Sequence, residues 1–163
     1  MAELLAECEQ AVRAAQAALA PYPALAHVGF LHDAEKEYAE AVLTRALVGG
    51  EDLPDHHALG VGLPAWLNGL AEAASELRRY LLDRLRDGET GTAEGLLGDM
   101  EDVYDLLVGV DYPDAVTGGL RRTCDALRAV LERTRSDVTT TVLQLRLQEA
   151  LRQRDGSPGG AVA

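Results

Sequence analysis

At 163 residues the chain has the length of a single domain and can bury a sizeable core, and its 47% hydrophobic content excludes a disordered polymer. Aromatic residues are only 4%, so Leu, Ala and Val must build that core, and β-branched residues are too sparse for a sheet protein. Asp and Glu number 27 against 15 Lys plus Arg, a net charge of −12 that on charge alone argues against a polyanionic partner.

The first segment, residues 2–20, is rich in Ala, Leu and Glu and ends before the breaker Pro21-Tyr22-Pro23. From about 24 to 48 the positions Leu31, Ala34, Tyr38, Ala41 and Val42 recur at helical spacing until Gly49-Gly50 stops them. Residues 49–63, with Pro54 and His56-His57, read as a loop. A third helix is predicted from Pro64, a good first-turn residue, to Gly88, with a stripe of Trp66, Leu70, Ala73, Leu77, Tyr80 and Leu81. Thr90 or Thr92 caps a fourth carrying Leu96, Leu97, Met100, Val103, Tyr104 and Leu107, which Tyr112-Pro113 breaks. A fifth follows through Leu120, Leu127, Val130 and Leu131; Ser136-Asp137 either caps a sixth reaching Arg154 or lies within one long helix. The expectation is an all-α bundle of about six helices in one domain, 1–154, with a flexible Gly-rich tail over 155–163.

No run approaches the roughly 18 apolar residues of a membrane span. The start Met1-Ala2-Glu3 is acidic where a signal peptide is basic, so a cytoplasmic protein without membrane contact is expected. Cys8 and Cys124 have no metal-ligand or redox spacing and read as small buried residues. Lys36 is the only lysine; the other basic residues are arginines. This acidic, Lys-poor composition resembles that of proteins from a halophilic archaeon, although a GC-rich genome produces the same Arg bias. In molar salt the Debye length is about 3 Å, so long-range repulsion of a nucleic acid vanishes and short, bidentate Arg contacts decide.

Glu37 and Glu40 lie three apart on the second predicted helix, and Glu72 and Glu76 four apart on the third, each pair beside an apolar stripe. If the helices are antiparallel neighbours, both pairs point into one cleft, where hard oxygen ligands suit Mg²⁺ or Mn²⁺. Such an ion activates water and stabilises a phosphodiester under attack. A chain this acidic also carries Glu pairs on any solvated face. A di-iron site would need Glu-x-x-His, and no Glu lies three residues before His27, His32, His56 or His57. No Walker loop, zincin motif or nucleophile elbow is present.

The string Lys36-Glu37-Tyr38-Ala39-Glu40-Ala41 resembles the Q-E-Y-V-E-A run of the translin family's nuclease subunit. Leu67-Asn68-Gly69-Leu70-Ala71-Glu72-Ala73-Ala74-Ser75-Glu76-Leu77 is similar to its L-L-G-x-A-D-L-T-G-E-L run, with Glu72 where the family has Asp. Met100–Asp105, and Tyr112-Pro113 before an Arg-bearing helix, fit more loosely; the resemblance spans about residues 27–135. It implies a helical fold assembling into a homo-oligomer, an octameric shell, that binds RNA or single-stranded DNA. It further implies that Glu37, Glu40, Glu72 and Glu76 are the catalytic residues and ligands of Mg²⁺ (or Mn²⁺) in an endoribonuclease. The family's longer, basic N-terminal stretch implies that this chain is truncated or starts late. Nucleic-acid contacts then fall to arginine, with Arg121, Arg122 and Arg128 the candidates, although each also suits a surface ion pair; Arg79, three residues from Glu76, is placed to pair with it. A non-catalytic RNA-binding, single-stranded-DNA-binding or scaffold protein of the same family is the alternative.

Overall fold

The computed structural model describes residues 2–26 and 29–156, which form eight helices and no strand. Five are long: α1 (Ala2–Leu19), α3 (Phe30–Gly49), α5 (Leu63–Arg86), α6 (Thr90–Val108) and α8 (Leu120–Gly156). Three are single turns: α2 (Pro23–Ala26), α4 (His56–Leu59) and α7 (Asp114–Thr117). The all-α expectation holds, with three short turns added to the long helices. No helix of the described residues is long and apolar enough to cross a membrane.

Helix α5 is the axis of the bundle and packs against α3, α6 and α8. Its predicted stripe is buried at Leu70, Ala73, Leu77 and Leu81, while Trp66 and Tyr80 are half-buried at its margin. Burial extends further round, to Leu67, Asn68, Gly69, Ala71 and Ala74, because three neighbours leave little of α5 facing water. Pro64 in the first turn and Arg84 and Arg86 in the last suit the two ends of its dipole.

Small residues bring α3 and α5 close together. A Cβ on Gly69 would lie 2.9 Å from the Lys36 carbonyl oxygen and 3.0 Å from both the Glu40 backbone nitrogen and the Ala39 Cβ. Two of these neighbours are backbone atoms that cannot swing aside. Gly69 therefore lets the backbones meet at the very turn of α3 that carries Glu37 and Glu40.

Several structural departures from the predicted boundaries have local causes. The second predicted helix is interrupted, and α3 starts at Phe30 because Gly29 adopts φ 99°, outside the helical region. The 49–63 loop contains α4, whose N-terminus is capped by Asp55 accepting a bond from the Ala58 amide at 2.7 Å. Ser136-Asp137 caps nothing: α8 runs unbroken through it. The Asp137 carboxylate accepts from Arg78 of α5 at 2.8 Å, and Arg78 also donates to the fully buried Thr134 hydroxyl at 3.0 Å. The helix continues two residues past the expected boundary at 154. The predicted tail beyond Gly156, like His27, lies outside the described residues.

Buried polar groups fasten the remaining pieces. Asn68 donates to the Pro64 and Thr117 carbonyls, both at 2.8 Å, and accepts from Thr123 at 2.6 Å, joining α5 to α7 and α8. Arg13 of α1 donates to the Leu59 and Gly60 carbonyls at 2.7 and 2.8 Å. Buried Glu35 accepts from Gln16 at 2.8 Å and from the Gly62 amide at 2.9 Å, so α1, α3 and the approach to α5 are locked together.

Gly69→Ala tests the close approach. Helix propensity alone would stabilise the variant by about 1 kcal/mol. The clash with the α3 backbone should outweigh that gain and leave the protein about 1–3 kcal/mol less stable. Equal or greater resistance to urea in the variant would contradict the close packing.

Candidate metal and nucleic-acid site

Packing of α3 on α5 carries the predicted carboxylates together. One oxygen from each of Glu37, Glu40 and Glu72 lies within 4.8 Å of the others. Glu76, one turn beyond Glu72, does not join this trio but is near enough for its charge to act on Glu40.

The trio is electrostatically tense. Glu40 is pushed up from 4.5 to about 7, first by burial, then by the charge and hydrogen bond of Glu72, then by the charges of Glu37 and Glu76. Near neutrality Glu40 therefore holds a proton much of the time, as one of several crowded carboxylates must when no cation compensates them all. Hard, closely spaced oxygens whose mutual repulsion holds back the ionisation of Glu40 form a donor set that fits a small divalent cation.

One cation is already built in. The Lys36 ammonium donates to both oxygens of Glu72, at 2.7 and 2.9 Å, and lies 3.3 Å from Glu37. Burial works against its charge, but Glu72 and Glu37 outweigh burial and hold its pKa above the usual 10.5. Sequence reasoning gave Lys36 no role in the site. Its being the only lysine, inside the acidic string itself, was the available signal.

Beside the trio runs a groove of about 600 Å³. Glu37, Glu40 and Glu76 line one part, Arg45 and Arg79 another, and Leu4, Leu5, Ala41 and Val48 give it apolar walls. Arg45 pairs with Glu51 at 3.1 Å. Among the described residues Arg79 forms no ion pair, with Glu76 or any other carboxylate, so the pairing expected from their spacing is absent.

The arginine candidates on α8 stand elsewhere. Arg121, Arg122 and Arg128 are all exposed, and Arg128 lies 3.6 Å from Glu132 one turn on. Arg78, which does reach α8, is two residues past Glu76, about 200° around α5. The acidic site and the Arg78 contact with α8 therefore lie on different faces of the central helix.

No known family model matches the chain. It is 31% identical over 136 residues to an uncharacterized protein of Methanocaldococcus jannaschii, which takes in 83% of this chain and 60% of that protein's length. Among solved structures, the chain is similar to the crystal structure of AfC3PO, with a TM-score of 0.69 and 34% identity over 83% of this chain and 69% of that one. The structure of AfC3PO in complex with duplex RNA gives the same TM-score at 32% identity, covering 83% and 68% of the two chains. Identity above 30% over more than two thirds of an archaeal translin-family protein agrees with the two acidic strings and the shared helical fold. The chain belongs to the translin family.

Proposed function

We propose that this protein binds RNA and cleaves it as a divalent-metal-dependent endoribonuclease within a homo-oligomeric shell. The observation that carries the reading is the convergence of Glu37, Glu40 and Glu72 from two helices to within 4.8 Å, beside a groove that also contains arginine. AfC3PO, similar in fold and sequence, forms a complex with duplex RNA, which supports RNA as the partner. Single-stranded DNA remains part of the proposal by resemblance alone.

Glu40 and Glu72, with Glu37 at the more exposed side, are the residues that would hold Mg²⁺ or Mn²⁺. Such an ion, when bound, supplies an activated water and positive charge for a phosphodiester under attack. Glu76, outside the trio on the groove wall, would accept hydrogen bonds from water at the site. Arg79, which makes no ion pair among the described residues, would hold a phosphate of the strand beside the carboxylates. Arg121, Arg122 and Arg128 meet RNA phosphates away from the cleavage site. Support for assembly comes from the far half of α8, where Leu143, Leu147 and Leu151 recur every fourth residue and are 57%, 60% and 42% exposed. A neighbouring copy would cover such a stripe.

Incubation of the purified protein with end-labelled RNA, in Mg²⁺ or EDTA and at low and molar salt, tests the activity. Cleavage in Mg²⁺ that EDTA abolishes is expected; RNA retained without cleavage would favour the non-catalytic alternative. Glu40→Gln should remove cleavage, and Glu76→Ala should slow it about 10–100-fold, the scale of an outer-shell loss. Undiminished cleavage by Glu40→Gln would refute the assignment.

Stability without metal supplies a second check. A carboxyl whose folded pKa of about 7 exceeds 4.5 favours the folded state fully below pH 4.5, and that contribution is lost as pH rises through 7. In EDTA, Glu40→Gln should therefore melt above the parent at pH 8, with the gap shrinking towards pH 4.5. A gap of the same size at both pH values would show that Glu40 is not held protonated.

A further inference from the structure

We propose that Lys36 is the resident cation of the acidic site, and that a divalent ion loads by taking Glu72 away from it. The inference rests on the metal-binding reading above. Both Glu72 oxygens accept from the one Nζ, so Glu72 is already paired with a cation. The same ammonium reaches Glu37 at 3.3 Å and is only 20% exposed, against 34% for Glu72 and 69% for Glu37. Glu40 is the one member of the trio with no Lys36 contact.

Charge and shape both suit this role. Three carboxylates converge on one spot, and Lys36 offsets the charge of one of them. An ammonium is a compact point charge with three donors and fits among carboxylate oxygens as an ion would, whereas a guanidinium is a flat, rigid fork. In a chain whose other 14 basic residues are arginine, the single lysine stands here. A divalent ion would displace the Glu40 proton to solvent and take the place of Lys36 at Glu72, freeing the ammonium. Lys36 lowers metal affinity while offsetting the charge that would otherwise repel across the seam.

Because Lys36 is the only lysine, lysine labelled with ¹⁵N and ¹³C reports it without ambiguity. Its side-chain Nζ and Cε signals should move on Mg²⁺ titration and saturate at one equivalent, in step with calorimetry. Lys36→Met should bind Mg²⁺ at least tenfold more tightly and, in EDTA, melt at a lower temperature that Mg²⁺ restores. An unmoved lysine signal at saturating Mg²⁺, with heat of binding recorded, would overturn the exchange, and so would equal affinity in Lys36→Met. Neither heat nor shift in either protein would overturn the metal-binding reading and this proposal together. The labelled parent protein gives its answer whether or not the Met variant folds.

Discussion

The contact of α5 with α3 at Gly69 is the constraint on which the rest depends. Without a side chain there, the α5 backbone rests against Lys36 and Glu40 of α3, and Ala39 brings only a methyl group to the contact. Larger residues would part the helices, and each further ångström of separation would spread the carboxylates. Packing and chemistry are thus set by the same few small residues. The cost is a cluster of like charges at a tightly packed seam, where burial raises their repulsion.

That repulsion is relieved in three ways. Lys36 neutralises Glu72, Glu40 takes up a proton, and Glu37 remains largely in water. The remainder of the bundle keeps its ionic contacts apart from this seam. Arg78 and Asp137 hold α5 to α8 on the opposite side, and Arg13 and Gln16 meet the Leu59 and Gly60 carbonyls together with Glu9 and Glu35. In a chain with a net charge of −12, three carboxylates crowd together at this seam.

Much of this was legible in the residues. Three- and four-residue spacing put both Glu pairs beside apolar stripes, and Leu70, Leu77, Leu81, Met100 and Leu107 were assigned correctly to the core. The spacing was silent on rotation about α5, which places Glu76 outside the trio while Glu40 and Glu72 meet. Ser136-Asp137 carried the chemistry of a helix start, yet the pull of Arg78 on Asp137 and of the Val130 carbonyl on Thr134 is satisfied inside one helix. Local sequence could not decide between these because the deciding partner, Arg78, lies 59 residues from Asp137. Lys36 was overlooked for a similar reason: its meaning comes from Glu72, 36 residues away on another helix.

The central proposal is that Glu37, Glu40 and Glu72 hold one divalent ion. Anomalous diffraction at the manganese edge, from crystals grown with Mn²⁺, tests that claim most directly. The expected result is a single peak at coordination distance from Glu40 and Glu72, with the Lys36 ammonium withdrawn from Glu72. A map with no peak among Glu37, Glu40 and Glu72 at saturating Mn²⁺ would contradict it.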